Sequence, residues 1–241
     1  TPYTDYRLNY YLNDFVAAYF TFSDKAEEQE TQIETLNNFY NVTPTIKSQG
    51  QKRTPTSLVS AKLLQLTDNT ALYQVTYKQK VEDKEVELTT GFSIPYGKND
   101  KSYYVSGLPW YSSLTDVQAK DVDTDSALSL TATDNVSEEI HGRVTKFLTI
   151  FFSNYTTDQD NLDLVGKGLI ALENTIFHSI DYTYLVEDTG TITAYTQVTF
   201  EVAGNTRSEN FTLTLTPKGD SYYVTQLLHT IPNDYAKPEG E

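Results

Sequence analysis

The sequence contains no cysteine and no methionine. The first absence removes disulfides, thiolate metal sites and cysteine nucleophiles together. Cationic residues are scarce as well: 18 Lys and Arg stand against 33 Asp and Glu, a net charge of −15. Such a balance opposes binding to a phosphate backbone, which needs clustered Lys and Arg. It also opposes docking on anionic lipid and favours basic or neutral partners. No apolar run approaches the roughly 20 residues that cross a bilayer, and no signal peptide is visible. The chain has no initiator methionine, which is the expectation for a processed form or fragment. Any anchoring segment is then expected upstream of Thr1.

Aromatic residues are plentiful: 19 Tyr and 11 Phe accompany a single Trp. With a hydrophobic fraction of only 38%, these rings must carry much of the burial. Tyr suits that task because it supplies apolar area and keeps a polar tip.

The chain is organised around a stretch that occurs twice. Ala71-Leu72-Tyr73-Gln74-Val75-Thr76-Tyr77 is answered by Ala194-Tyr195-Thr196-Gln197-Val198-Thr199-Phe200. Tyr73, Val75 and Tyr77 share one phase, and Val198, Phe200 and Val202 share the matching phase. Strict alternation marks a half-buried strand. A second echo follows in the same order, Ser102-Tyr103-Tyr104-Val105 and Ser221-Tyr222-Tyr223-Val224. The chain therefore reads as two copies of one α+β unit, residues 1–111 and 136–241, joined by an acidic linker over 112–135.

Each copy reads as two helices followed by a meander of about four strands. Leu8, Tyr11, Leu12, Phe15 and Tyr19 recur at helical spacing from about Asp5 to Phe22. Ser23 or Asp24 then caps a helix with Ile33, Leu36, Phe39 and Tyr40, and Asn41–Thr56 reads as a loop. Strands follow at Leu58–Leu66, Ala71–Lys80, Glu85–Ile94 and Tyr103–Leu108. In the second copy Ser137 caps a helix with the stripe Ile140, Val144, Phe147, Leu148, Phe151 and Tyr155. Thr157–Asp163 resembles a second cap and first turn. Strands are expected at Ser179–Val186, Thr191–Val202, Glu209–Leu215 and Ser221–Leu228. The tail after Pro232 is expected to be loose. Phe15 and Phe147 are expected in the two cores.

Little points to chemistry. His141, His178 and His229 have no spacing that would gather a metal. Gly166-Lys167-Gly168 lacks the pattern of a phosphate loop and reads as a turn. No nucleophile elbow occurs. Asp121, Asp123 and Asp125 alternate, but without the glycine and distal glutamate of a calcium loop they read as a solvated linker. Trp110 reads as a plug where the first unit meets the linker, with an exposed partner anchor as the alternative. Asp181 and Glu201 fall on the polar phase of their strands, so both are expected to be exposed. No catalytic, cofactor-binding or metal-binding residue is assigned.

The Phe15, Tyr19-Phe20 helix, the doubled Gln-Val-Thr strand, and Ser102–Val105 with Gly107-Leu108-Pro109-Trp110 after it resemble the conjugal transfer protein TcpC family of Gram-positive mobile elements. The resemblance runs from about Asp5 to Asn233. Members are similar to the bitopic VirB-type assembly component of type IV secretion systems. The resemblance implies a nuclear transport factor 2-like (cystatin-like) fold for each half. It implies a non-enzymatic scaffold in the mating channel, acting through contacts with other conjugative transfer proteins and through self-association, with a trimer as the form suggested. It also implies a location outside the cell membrane, within the wall, with one transmembrane helix ahead of residue 1. No cofactor and no direct contact with nucleic acid are expected. Two other readings stand beside it. One is a small-ligand binder or ketosteroid isomerase-like enzyme, which needs a buried carboxylate on a concave sheet. The other is a surface adhesin.

Overall fold

The computed structural model describes residues 5–45, 54–114, 118–123 and 127–237. The chain divides into two compact units, Thr1–Ala119 and Lys120–Glu241. Val117 and Asp125 of the expected linker, and Gly50 of the expected loop, lie outside the described residues.

In the first unit α1 spans Arg7–Tyr19 and α2 spans Ala26–Asn37. The strands are β1 (Thr56–Leu66), β2 (Thr70–Val81), β3 (Lys84–Asn99), β4 (Ser102–Val105) and β5 (Trp110–Ser112). The sheet runs β1-β2-β3-β4, all antiparallel, with β5 also paired to β3. The expected phase of β2 holds: Ala71, Tyr73, Val75 and Tyr77 are buried, and the residues between them are half-buried. Leu12, Phe15, Val16 and Phe20 meet that face from the helix side, together with Phe92 and Ile94 of β3. Tyr73 fits into this interior because its hydroxyl finds Asn13 Oδ1 at 2.7 Å. A buried hydroxyl without such an acceptor would be costly.

Two glycines let β3 serve two partners. A Cβ on Gly97 would lie 2.5 Å from the Tyr104 ring, and one on Gly91 would lie 2.5 Å from Ser112 Oγ. Gly97 pairs with Tyr104 and Gly91 with Ser112. Glycine at these points allows the close approach of β4 and β5 that a side chain would block. The strand accordingly extends well beyond Ile94, the expected end, and turns at Asp100-Lys101.

In the second unit α3 spans Glu138–Thr157 and α4 spans Gln159–Val165. The strands β6 (Ile176–Asp188), β7 (Thr191–Val202), β8 (Asn205–Lys218) and β9 (Ser221–Leu228) form an antiparallel sheet in chain order. Ser137 caps α3 by accepting from the Ile140 amide at 3.2 Å. Asp158 caps α4 from Asn161 N at 3.0 Å. Val144, Phe147, Leu148, Phe151, Phe152 and Tyr155 are buried on α3. They pack against Val198 and Phe200 of β7, and Phe211 and Leu213 of β8.

Several expectations are corrected. Helix α2 starts from Lys25 with no side-chain cap; Ser23 instead accepts from the Lys25 amide. The helix stops at Asn37, because Val105 N takes the Phe39 carbonyl at 2.8 Å and pulls residues 39–40 onto β4. Ile33 is 41% exposed rather than part of the core stripe. The tail after Pro232 is not loose: Tyr235 is buried, and its hydroxyl reaches Tyr182 Oη at 2.6 Å and the Ser129 carbonyl at 2.7 Å. Its ring meets those of Tyr182, Tyr184 and Tyr195. The same end of the sheet holds residues 129–134. The Tyr182 hydroxyl donates to Ala132 O at 2.7 Å, and Leu185 N donates to Asp134 Oδ2 at 3.1 Å. Part of the stretch expected to be a linker is thus fastened to β6.

Candidate functional site: surfaces of the two units

The interiors of both units are filled from within. Tyr73, Phe15, Phe20 and Phe92 are fully buried in the first, and Phe151, Phe152, Phe200 and Phe211 in the second. The buried polar residues among those described are Ser93, Thr156, Thr175, Thr196 and Thr212, all neutral, while the Asp134 side chain, 7% exposed, lies against the β6 backbone and accepts from Leu185 N. Burial raises the Tyr73 pKa to about 12. It also raises that of Tyr182, helped by the hydroxyl of Tyr235. Both shifts keep a neutral phenol neutral and create no acid or base near pH 7.

The residues singled out by type are dispersed. His141 is exposed, with Nε2 3.9 Å from Asp134. His178 is exposed and lies 3.5 Å from Glu201, which is half-buried rather than open. His229 packs its ring 5.5 Å from that of Phe211. Asp181 is exposed and accepts hydrogen bonds from Ser179 and Thr199. Asp121 and Asp123 are exposed, and Asp125 lies outside the described residues. No three of His, Asp and Glu converge on a metal-sized point among the described residues. Gly166 and Lys167 form the turn after α4, with Lys167 N on the Val224 carbonyl at 3.0 Å. Asp5 is held down to about pH 2 by the Arg7 side chain and by the Arg7 amide, the first of α1.

Trp110 is not a plug. It is 48% exposed and pairs with Ser93 on β3. Ser93 neighbours Phe92, whose ring belongs to the core, so Ser93 and Trp110 project from the opposite face. Tyr111, next along β5, lies on the helix side, where its ring stacks on Phe20 at 6.1 Å while remaining 52% exposed. Leu108 beside it is 53% exposed.

A cleft of about 590 Å³ lies between α1 and α2. Asp14, Ala17, Ala18 and Thr21 line it from α1 and the turn that follows, at a spacing that sets them on one helix face. Glu27, Glu28, Thr31, Gln32 and Thr35 line it from α2, with Phe39 at its end. The cleft exists because α2 is poor in apolar residues: Leu36 is its one buried residue. Threonines face alanines where leucines would have closed a seam. Side-chain amides hold α2 instead, Gln32 Oε1 accepting from Ser23 N and Gln29 Nε2 donating to Ser23 O, each at 2.8 Å. Phe39 is fixed by its carbonyl, which also accepts from the Tyr11 hydroxyl at 2.6 Å. Sequence reasoning missed this cleft. The signal was present in Ala17-Ala18 opposite Thr31 and Thr35. A smaller hollow of about 290 Å³ in the second unit lies between the start of α3 and the turns at Gly190 and Gly219.

The sequence profile of the family described as conjugative transposon protein TcpC matches residues 11–225. No curated protein matches the chain at a significant level. Among solved structures, one described as an Ntf2 like protein involved in plasmid conjugation aligns with a TM-score of 0.68 at 14% identity. The alignment covers 93% of this chain and 96% of the other. At that identity the likeness speaks for the fold, which is nuclear transport factor 2-like. No helix among the described residues is long and apolar enough to cross a membrane.

Proposed function

This chain belongs to the conjugative transposon protein TcpC family, and on that premise we propose that it is a non-enzymatic scaffold of a conjugative type IV secretion apparatus. It acts by self-association and by contacts with other transfer proteins. It works outside the membrane of a Gram-positive cell, tethered by a transmembrane helix ahead of residue 1.

The observation that carries this reading is the filling of the helix-facing side of both sheets by aromatic side chains. In an enzyme built on such a sheet, that side holds the substrate and a desolvated acid. Here Phe15, Phe92 and Tyr73 occupy one, and Phe152, Phe200 and Phe211 the other. What remains for function is the exterior: Trp110, Leu108 and the acidic cleft between α1 and α2. Exposed aromatics and pockets of this kind suit protein contacts.

Sedimentation velocity on the chain and on a membrane-tethered form tests self-association. Capture of purified transfer proteins from the same element tests the contacts. The scaffold reading predicts both; a monomer at all concentrations that captures none of those proteins would end it.

A further inference from the structure

We propose that the cleft between α1 and α2 docks a basic segment of a partner protein. An Arg or Lys of that segment lays its aliphatic stem on Ala17, Ala18 and Phe39 and sets its charged head among Asp14, Glu27 and Glu28. This rests on the scaffold reading and names the surface and the class of partner.

The chemistry of the occupant follows from the lining. The floor is apolar and the rim is anionic, and only a group with an apolar stem and a cationic tip matches both. Asp14 and Glu27 make no hydrogen bond or ion pair among the described residues, and Glu28 has only Lys25 at 3.9 Å, an exposed pair of little strength. From Arg7 to Asn37 six acids (Asp14, Asp24, Glu27, Glu28, Glu30, Glu34) stand against two bases (Arg7, Lys25), and Arg7 is committed to Asp5. The three rim carboxylates do not gather at a metal-sized point, so the charge is spread as a side-chain cation would use it. The net charge of −15 draws such a partner in from a distance. A volume of about 590 Å³ admits one or two long side chains and a turn of backbone.

The second unit treats the same region differently. Gln159 takes the Ala171 amide at 2.8 Å and gives to the Leu169 carbonyl at 2.9 Å, while Leu172 N reaches the Tyr155 carbonyl at 2.7 Å. These bonds lay the chain's own return segment against the helix pair. In the first unit no described residue beyond Phe39 lines the cleft.

The test uses a short fluorescent peptide of leucine, alanine and arginine, and the same peptide with citrulline for arginine. The arginine peptide is expected to bind, to shift the amide resonances of Ala17, Ala18 and Thr35, and to weaken as salt rises. The double variant Asp14→Asn/Glu27→Gln is expected to lose roughly tenfold or more in affinity. Ala18→Leu, which fills the floor, is expected to lose a similar amount. Both variants are checked for an unchanged melting curve. The double variant Asp188→Asn/Asp220→Asn removes as much charge from exposed sites of the second unit and is expected to bind as the parent does. The proposal is overturned by no binding, by equal binding of the citrulline peptide, by unchanged affinity in the cleft variants, or by equal loss in the second-unit variant. The scaffold reading is judged separately, by whether the parent chain captures purified transfer proteins.

Discussion

Tyr73 and Thr196 occupy the same place in the repeated strand, one residue before Gln74-Val75-Thr76 and Gln197-Val198-Thr199. Both are fully buried. Tyr73 crosses the interior of its unit and bonds to Asn13 on the facing helix. Thr196 turns back on its own sheet and donates to the Tyr182 carbonyl at 2.9 Å. The second unit carries more of its buried aromatic bulk on its first helix. There α3 buries Phe147, Phe151, Phe152 and Tyr155, where α1 buries Leu12, Phe15 and Val16. A duplicated strand therefore preserves which face looks inward, but not which element supplies the bulk. Packing density is the conserved quantity, and either layer satisfies it.

The opposite faces differ in the same spirit. In the second unit Tyr235 covers Tyr182, Tyr184 and Tyr195. In the first, Trp110 stays half exposed.

The strongest way to break this comparison is to empty each core. Phe15→Ala and Phe152→Ala should each cost about 3–5 kcal/mol. Calorimetry should show each one lowering the transition of its own unit, and equal effects on a single shared transition would deny the division. Next, Tyr235→Ala should cost the second unit roughly 2–3 kcal/mol through lost ring contacts and the lost hydrogen bond to the Ser129 carbonyl. Trp110→Ala should change stability by no more than about 0.5 kcal/mol. Denaturant melts of the pair would contradict the assignment of covered and open faces if the order were reversed.

A finer probe is Tyr73→Phe, expected to cost about 1 kcal/mol. It also carries a pH signature. The phenol titrates near 10 in the unfolded chain and at about 12 in the folded one. Its contribution is therefore complete below pH 10 and is lost as pH rises from 10 towards 12. The parent should lose stability over that window, and the phenylalanine variant should lose less of it. A last contrast lies at the helix starts. Ser137→Ala should cost about 1 kcal/mol, because it removes the bond to the Ile140 amide. Tyr6→Ala should cost almost nothing, since Asp5 and not Tyr6 bonds the first amide of α1.

What was legible in the sequence was whatever depends on periodicity. The phase of β2 and β7, the Ser137 cap, and the ends of β7 and β9 follow from alternation and cap chemistry alone. What was hidden depends on partners distant in sequence. Nothing near Tyr235 says that a carbonyl at Ser129 awaits its hydroxyl. Nothing near Trp110 says that β5 will lie beside Gly91 and Ser93 and turn the indole outward. The α1–α2 cleft was hidden for another reason. A helix with few apolar residues reads as a poorly written helix, whereas here the missing leucines are the feature.

The contact between Tyr40 and Val105 has an analogue in that between Gly166 and Val224. In both units the fourth strand receives the chain leaving the second helix. During synthesis neither helix pair can be locked until that strand has emerged from the ribosome, so each unit is completed late and over a long loop. A nascent chain halted short of Val105 would leave its aromatic stripe uncovered, and holding chaperones would have most to do at that moment.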